Sequence, residues 1–257
     1  MRYARLLFMG MLVAAGQLWA SEEVNERRSM APDGLVEIEM ISGTIRVIGW
    51  SEDAVEIAGR LRRPQEQLEI DSDGGHVSIE VSPPYGSHHG LEESLEIRMP
   101  RGARLEVETV SAPIDVTDLN GDVALSSISG NIVLKGNLRS VEAATVSGLI
   151  TLEDGGDLRQ GSFETVSGTI RARANFQPRG RFEFESVSGT VELIVPAGMA
   201  ADFEVETFSG RIDSDFGPDP RHIDPPLPSQ ELIFSTGAGG ARIMVESFSG
   251  TVRIRRE

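Results

Sequence analysis

Residues Phe182 to Val195 read FEFESVSGTVELIV, and the recurrence of this unit decides the fold. With Ser188-Gly189 as the reference point, matching dyads stand at Ser42-Gly43, Ser129-Gly130, Ser147-Gly148, Ser167-Gly168, Ser209-Gly210 and Ser249-Gly250. A Ser111-Ala112 variant brings the number of copies to eight. Between Ser111 and Ser209 the dyads fall 18, 18, 20, 21 and 21 residues apart. A period of about 20 residues signals a repeat architecture.

Two places after each glycine or its alanine substitute stand Ile45, Ile114, Ile132, Ile150, Ile170, Val191, Ile212 and Val252, β-branched in every copy. Four places before each serine come Ile38, Val107, Leu125, Ala143, Phe163, Phe184, Val205 and Val245, with polar or charged residues between most apolar ones. Alternation with period two is the signature of a half-buried strand. Each copy therefore reads as strand, bend at Ser-Gly, strand, and glycine suits a bend because it carries no side chain.

A hairpin and a solenoid can both be built from this unit. In a hairpin, Ser-Gly would be the loop, with Phe184 opposite Leu193. In a solenoid the dyad is a corner, and copies stack on one another. Recurrence of one residue class at one place favours stacking. A second consideration agrees. Ile41, Val110, Ile128, Val146, Val166, Val187, Phe208 and Phe248, just ahead of each serine, are out of phase with the preceding apolar residues. A hairpin exposes them, whereas a corner can turn them inward, and burying one such side chain is worth roughly 1.5 to 3 kcal/mol. The expected fold is an all-β solenoid, β-helix-like, of about 20-residue repeats.

The remaining chain gives an outline of organisation. Arg2 and Arg5, the apolar run Leu6 to Ala15 and the small residue Ala20 before Ser21-Glu22-Glu23 read as a secretory signal peptide over residues 1–20. Residues 21–34 read as a flexible leader, and 35–257 as the repeat domain. Within that domain, 64–90 is an irregular segment and 217–230 a proline-rich loop. The closing Arg253-Ile254-Arg255-Arg256-Glu257 is expected to place charge on the open end of the stack. The protein is expected to be exported, to the periplasm or the cell surface, with no membrane span after cleavage. There is no cysteine, which excludes disulfides and thiolate metal sites. Loss of two arginines with the leader takes the formal charge from −16 to −18. That balance argues against nucleic acid as a partner.

With the repeat and the exported N-terminus in view, the chain resembles the bacterial putative-adhesin family of unknown function. The matching block is Glu164-Thr165-Val166-Ser167-Gly168-Thr169-Ile170 and its copies, from about Leu35 onward. The resemblance implies a β-helix-like domain at the cell envelope and supplies no catalytic residues.

Among candidate sites, Glu164, Glu185 and Glu206 would come from successive turns and form an outward carboxylate ladder, flanked by Glu183 and Glu204. Such a face attracts divalent cations or a basic partner, unless salt and arginines such as Arg171 neutralise it. His76, His88 and His89, near Asp71 and Asp73, carry metal-binding groups without a recognised ligand spacing. Carboxylates such as Asp213 and Asp215 are abundant, but no pair is singled out for glycoside chemistry. No catalytic, cofactor-binding or metal-binding residue is therefore assigned. The reading is a non-enzymatic, adhesin-like surface for an envelope protein or a glycan. The alternatives are a carbohydrate-active β-helix enzyme and a small-ligand envelope sensor.

Overall fold

The computed structural model describes residues 22–61, 67–82, 93–153, 156, 158–223 and 228–257. The signal peptide read over 1–20 lies outside them, as do His88 and His89. In chain order, β1 is Glu22–Ser29, the first copy is β2 (Leu35–Met40) and β3 (Thr44–Trp50), and β4 is Ala54–Leu61. β5 (Leu68–Ser72), β6 (His76–Val81) and β7 (Ser94–Pro100) precede the second copy, β8 (Arg104–Thr109) and β9 (Ile114–Thr117). Then follow β10 (Asp122–Ser127) and β11 (Ile132–Lys135), β12 (Ser140–Thr145) and β13 (Leu149–Glu153), β14 (Gln160–Thr165) and β15 (Thr169–Arg173). The sixth copy is β16 (Arg181–Ser186) and β17 (Thr190–Val195), and the seventh is β18 (Ala201–Thr207) and β19 (Arg211–Ser214). β20 (Arg221–His222) and β21 (Gln230–Thr236) precede the eighth, β22 (Ala241–Ser247) and β23 (Thr251–Arg256).

Each copy sends its first strand to one sheet and its second to the other. The sheet of second strands runs β1-β4-β7-β3-β9-β11-β13-β15-β17-β23-β19, and the sheet of first strands runs β20-β21-β18-β22-β16-β14-β12-β10-β8-β2-β6-β5. The two halves of one copy are thus not hydrogen-bonded partners, as a hairpin requires. Copies pair with copies, parallel and in register: Phe163 stands beside Phe184 and Ile170 beside Val191. Antiparallel strands occur towards the ends, where β4 pairs with β1 and β7, and β21 pairs with β18. Both sheets are mixed, and among the described residues neither closes into a barrel.

The core is the sum of the inward positions of both sheets. All eight β-branched residues after the glycine are buried, as are the eight apolar residues four places before the serine. A run of phenylalanines fills the middle of this interior. Phe163 stacks on Phe184 at 5.0 Å between ring centroids, and Phe176 meets Phe182 at 4.3 Å. Pro100 and Pro196 each head a tight turn, with Ala103 N–H donating to the Pro100 carbonyl at 3.1 Å and Met199 N–H to that of Pro196 at 3.0 Å.

Three expectations are corrected. Residues 22–29, read as part of a flexible leader, form β1 along the whole of β4, because Val24 finds burial there. Chain order is not stacking order, because the eighth copy lies between the sixth and the seventh, with β22 between β16 and β18 and β23 between β17 and β19. The charged stretch Arg253 to Glu257 therefore does not cap an open end. It is flanked on both sides, and Arg255 donates to Asp215 at 3.1 Å.

Candidate functional site

The site begins with the last residues of each first strand. In β16, Phe182 and Phe184 point inward, Glu183 and Glu185 outward, Ser186 inward again and Val187 outward. The alternation continues through the residue ahead of the dyad, so that residue faces water. Ile41, Val110, Ile128, Val146, Val166, Val187, Phe208 and Phe248 are between 41% and 58% exposed. The expectation that the corner turns them inward is wrong. The inward place before them is taken by a small hydroxyl residue instead.

Those hydroxyls had drawn no attention in the sequence, yet they build the bend. Oγ of Ser127, Thr145, Thr165, Ser186, Thr207 and Ser247 accepts from the N–H of the glycine three residues on, at 2.8 to 3.0 Å. Each satisfies a donor the bend would otherwise leave unpaired. The signal was available: Thr or Ser recurs two places before the dyad in seven copies. Thr165→Val keeps the shape and removes the acceptor, so it should lower unfolding stability by about 1 to 3 kcal/mol in urea titrations. Thr165→Ser should lower it far less.

The dyad serines are consumed by stacking. Ser167 donates through both its N–H, at 2.9 Å, and its Oγ, at 3.2 Å, to the carbonyl of Val146 in the neighbouring copy. Ser188 does the same to Val166, and Ser249 to Val187. The dyad glycines have a related purpose. A Cβ on Gly148, Gly168 or Gly189 would come closer than 3.0 Å to the carbonyl oxygen of the preceding residue in this series, so close approach of neighbouring copies demands glycine. Only at Gly43 does the bend need a left-handed φ, of 115°.

Stacking aligns the exposed apolar residues into one stripe, in the order Ile41, Val110, Ile128, Val146, Val166, Val187, Phe248, Phe208. Phe208 and Phe248 stack at 5.0 Å near one end. Beside the stripe runs a groove of about 1000 Å³ that reaches from Glu39 in the first copy to Phe208 in the seventh. Its other wall is acidic. Glu164 adjoins Glu185, Glu185 adjoins Glu246, Glu246 adjoins Glu206, and Glu206 adjoins Glu231. The expected ladder of Glu164, Glu185 and Glu206 thus exists with Glu246 inserted, because the eighth copy is inserted. Glu39 and Glu108 continue it beyond a gap at Ser126 and Ala144.

The two outer faces handle charge differently. On the sheet of second strands, Arg171, Glu192, Arg253 and Asp213 alternate in sign across four adjacent strands, and Arg171 meets Glu192 at 2.7 Å. Arg171 therefore lies on the other face and does not neutralise the ladder. No basic residue is among the described residues that line the groove. Burial, then Glu164, Glu246 and Glu183, raise the Glu185 pKa above the ordinary carboxylate value. Burial, then Glu231, Glu204 and Glu246, do the same to Glu206. Since the folded state holds these protons more tightly than the unfolded chain, stability falls as pH rises from the unfolded pKa through the folded one. Glu185→Gln should accordingly raise the melting temperature at pH 7, leave it unchanged at pH 3.5, below both pKa values, and in about 1 M salt lose the part of its effect that comes from repulsion by Glu164, Glu246 and Glu183, keeping the part that comes from burial.

The other candidate residues have local work. His76 Nε2 lies 2.7 Å from Glu37 Oε2, while Asp73 accepts from the N–H groups of Gly75 and His76 at 2.9 and 2.8 Å. Asp71 is on β5, opposite Ser78. Asp213 and Asp215 both accept from Arg255. Among the described residues no three of His, Asp and Glu could together hold a metal ion, the ladder included.

No family model matches the chain, and no curated protein does. Solved structures do. A putative lipid binding protein from Parabacteroides distasonis is 13% identical, with a TM-score of 0.49 over 91% of this chain and 96% of its own. A putative adhesin from Bacteroides fragilis is 8% identical, with a TM-score of 0.48 over 91% and 97%. A putative cell adhesion protein from Clostridium sporogenes is 10% identical, with a TM-score of 0.39 over 92% and 100%.

Proposed function

We infer that this is an exported, non-enzymatic binding protein of the cell envelope, adhesin-like in the sense that an extended surface rather than a catalytic centre does its work. The paired sheets are read as two faces of a β-solenoid, a reading supported by parallel, in-register pairing of copies in both sheets. One observation carries the functional reading: an uninterrupted apolar stripe with a carboxylate wall on six of its eight copies. Leaving eight aliphatic or aromatic side chains in water forgoes burial worth roughly 1.5 to 3 kcal/mol apiece, and contiguous exposed apolar surface marks an interaction site. Asp213 and Asp215 are engaged by Arg255, and the dyad hydroxyls by neighbouring carbonyls. Export rests on the charged, apolar and small-residue order of the first 20 residues.

The test is a photo-crosslinking side chain in intact cells, placed at Val146 in the groove or at Arg171 on the opposite face, with each cell fraction assayed for the protein. The Val146 position should give a discrete adduct in the envelope fraction and the Arg171 position none. Equal labelling from both faces, or retention in the cytoplasm, would overturn the reading.

A further inference from the structure

We propose that the groove holds a cationic amphipathic α-helix, lying along the stacking direction with its apolar face on the stripe and its lysines or arginines on the carboxylate wall. This rests on the reading of the groove as the working surface and names what occupies it.

Three features select that occupant. The first is charge: among the described residues that line the groove none is basic beside the row Glu164, Glu185, Glu246 and Glu206, although the same fold pairs its charges on the opposite face. An anionic lipid or a fatty-acid carboxylate would be repelled there. A second copy of the chain, with its own formal charge of −16, supplies no compensating excess of cations. The second feature is hydrogen bonding. The carboxylate wall accepts but does not donate, so an extended peptide would leave its carbonyls facing an apolar stripe, whereas a helix satisfies its own backbone. The third is dimension. Strands about 4.8 Å apart put eight copies over roughly 34 Å, which a helix rising 1.5 Å per residue spans in roughly 22 residues. Its pitch of about 5.4 Å brings one apolar residue per turn close to one stripe residue per copy. The wall also sets a polarity. The four contiguous carboxylates from Glu164 to Glu206 lie towards the Phe208–Phe248 end, where Glu231 beyond them is already paired with Arg221, while Ser126 and Ala144 interrupt the row at the third and fourth copies. The basic residues of the helix should be densest at the phenylalanine end.

The experiment uses the full-length chain, purified as the expressing cell leaves it, and a synthetic 22-residue peptide with leucines on one helical face and lysines along one flank. Two control peptides carry glutamate for lysine, or the same composition in scrambled order. Isothermal titration and circular dichroism follow binding and helix formation. The patterned lysine peptide should bind and become helical, and the controls should bind at least tenfold more weakly. Affinity should fall at least tenfold in a Val166→Ser/Val187→Ser variant and in a Glu185→Gln/Glu246→Gln variant, each first shown to melt cooperatively. Equal binding of the scrambled peptide, or indifference to both variants, overturns the proposal. Preferential binding of phosphatidylglycerol vesicles, or a concentration-dependent dimer abolished by Val166→Ser/Val187→Ser, overturns it in favour of a lipid or a second copy. If the Val146 crosslinker labels an envelope component while the lysine peptide fails to bind, the binding-surface reading stands and the helix is refuted.

Discussion

Gly168→Ala is expected to destabilise the fold by about 3 kcal/mol, an effect out of proportion to a single methyl group. The cause is not backbone strain, since Gly168 is absent from the positive-φ residues. A Cβ at Gly168 would meet the Gly148 carbonyl, and the contact repeats up the series, where Gly189 faces Gly168 and Gly250 faces Gly189. To admit the methyl, two copies must separate, and that stretches the pair of bonds from Ser167 to the Val146 carbonyl. Gly198→Ala is the control. Beyond its two chain neighbours nothing among the described residues lies within 4 Å of the added carbon there and φ is not positive, so the change should be neutral or stabilising by about 0.4 to 1 kcal/mol. Urea unfolding of both variants decides the matter, and equal stability would remove close approach as the reason for the dyad.

Phe184→Ala should cost about 3 to 5 kcal/mol, the range for a fully buried phenylalanine whose neighbours cannot collapse into the space. Phe184 is 0% exposed, stacks on Phe163 at an interplanar angle of 6° and meets Phe176 edge-on at 6.2 Å. Both sheets hold the surrounding backbone by in-register bonds, so the void persists. Three residues along, Val187→Ala should cost no more than about 0.5 kcal/mol, because its side chain already faces water. A matched pair of denaturation curves tests the core and the stripe together. Similar losses at the two positions would mean that Val187 is covered in solution.

The same contrast shows how far the sequence could be read. Strand, bend, strand was legible because apolar residues at fixed distances from each dyad repeat in eight copies, and stacking explains such recurrence. The direction of the residue ahead of the serine was not legible by weighing apolar burial alone. Plain alternation already put Val187 outside, and the polar Ser186 was the inward residue because its hydroxyl serves Gly189. The acidic wall was visible as a recurring glutamate, but Glu246 could be placed between Glu185 and Glu206 only from pairing. Nothing in a periodic sequence ranks copies in space, since each offers its neighbours nearly identical edges. β1 was missed for a different reason: EEVNERRS has one apolar residue to bury, and its partner β4 supplies the rest of the pattern.

The placement of β22 and β23 bears on how the molecule is made. Six copies follow one another in chain order, each lying beside the one before. The seventh does not lie on the sixth, because that berth is taken by β22 and β23, which come later in the chain. Ala201 to Ser214 can therefore take their final place only together with residues up to Arg256, which enter as a wedge rather than as a cap.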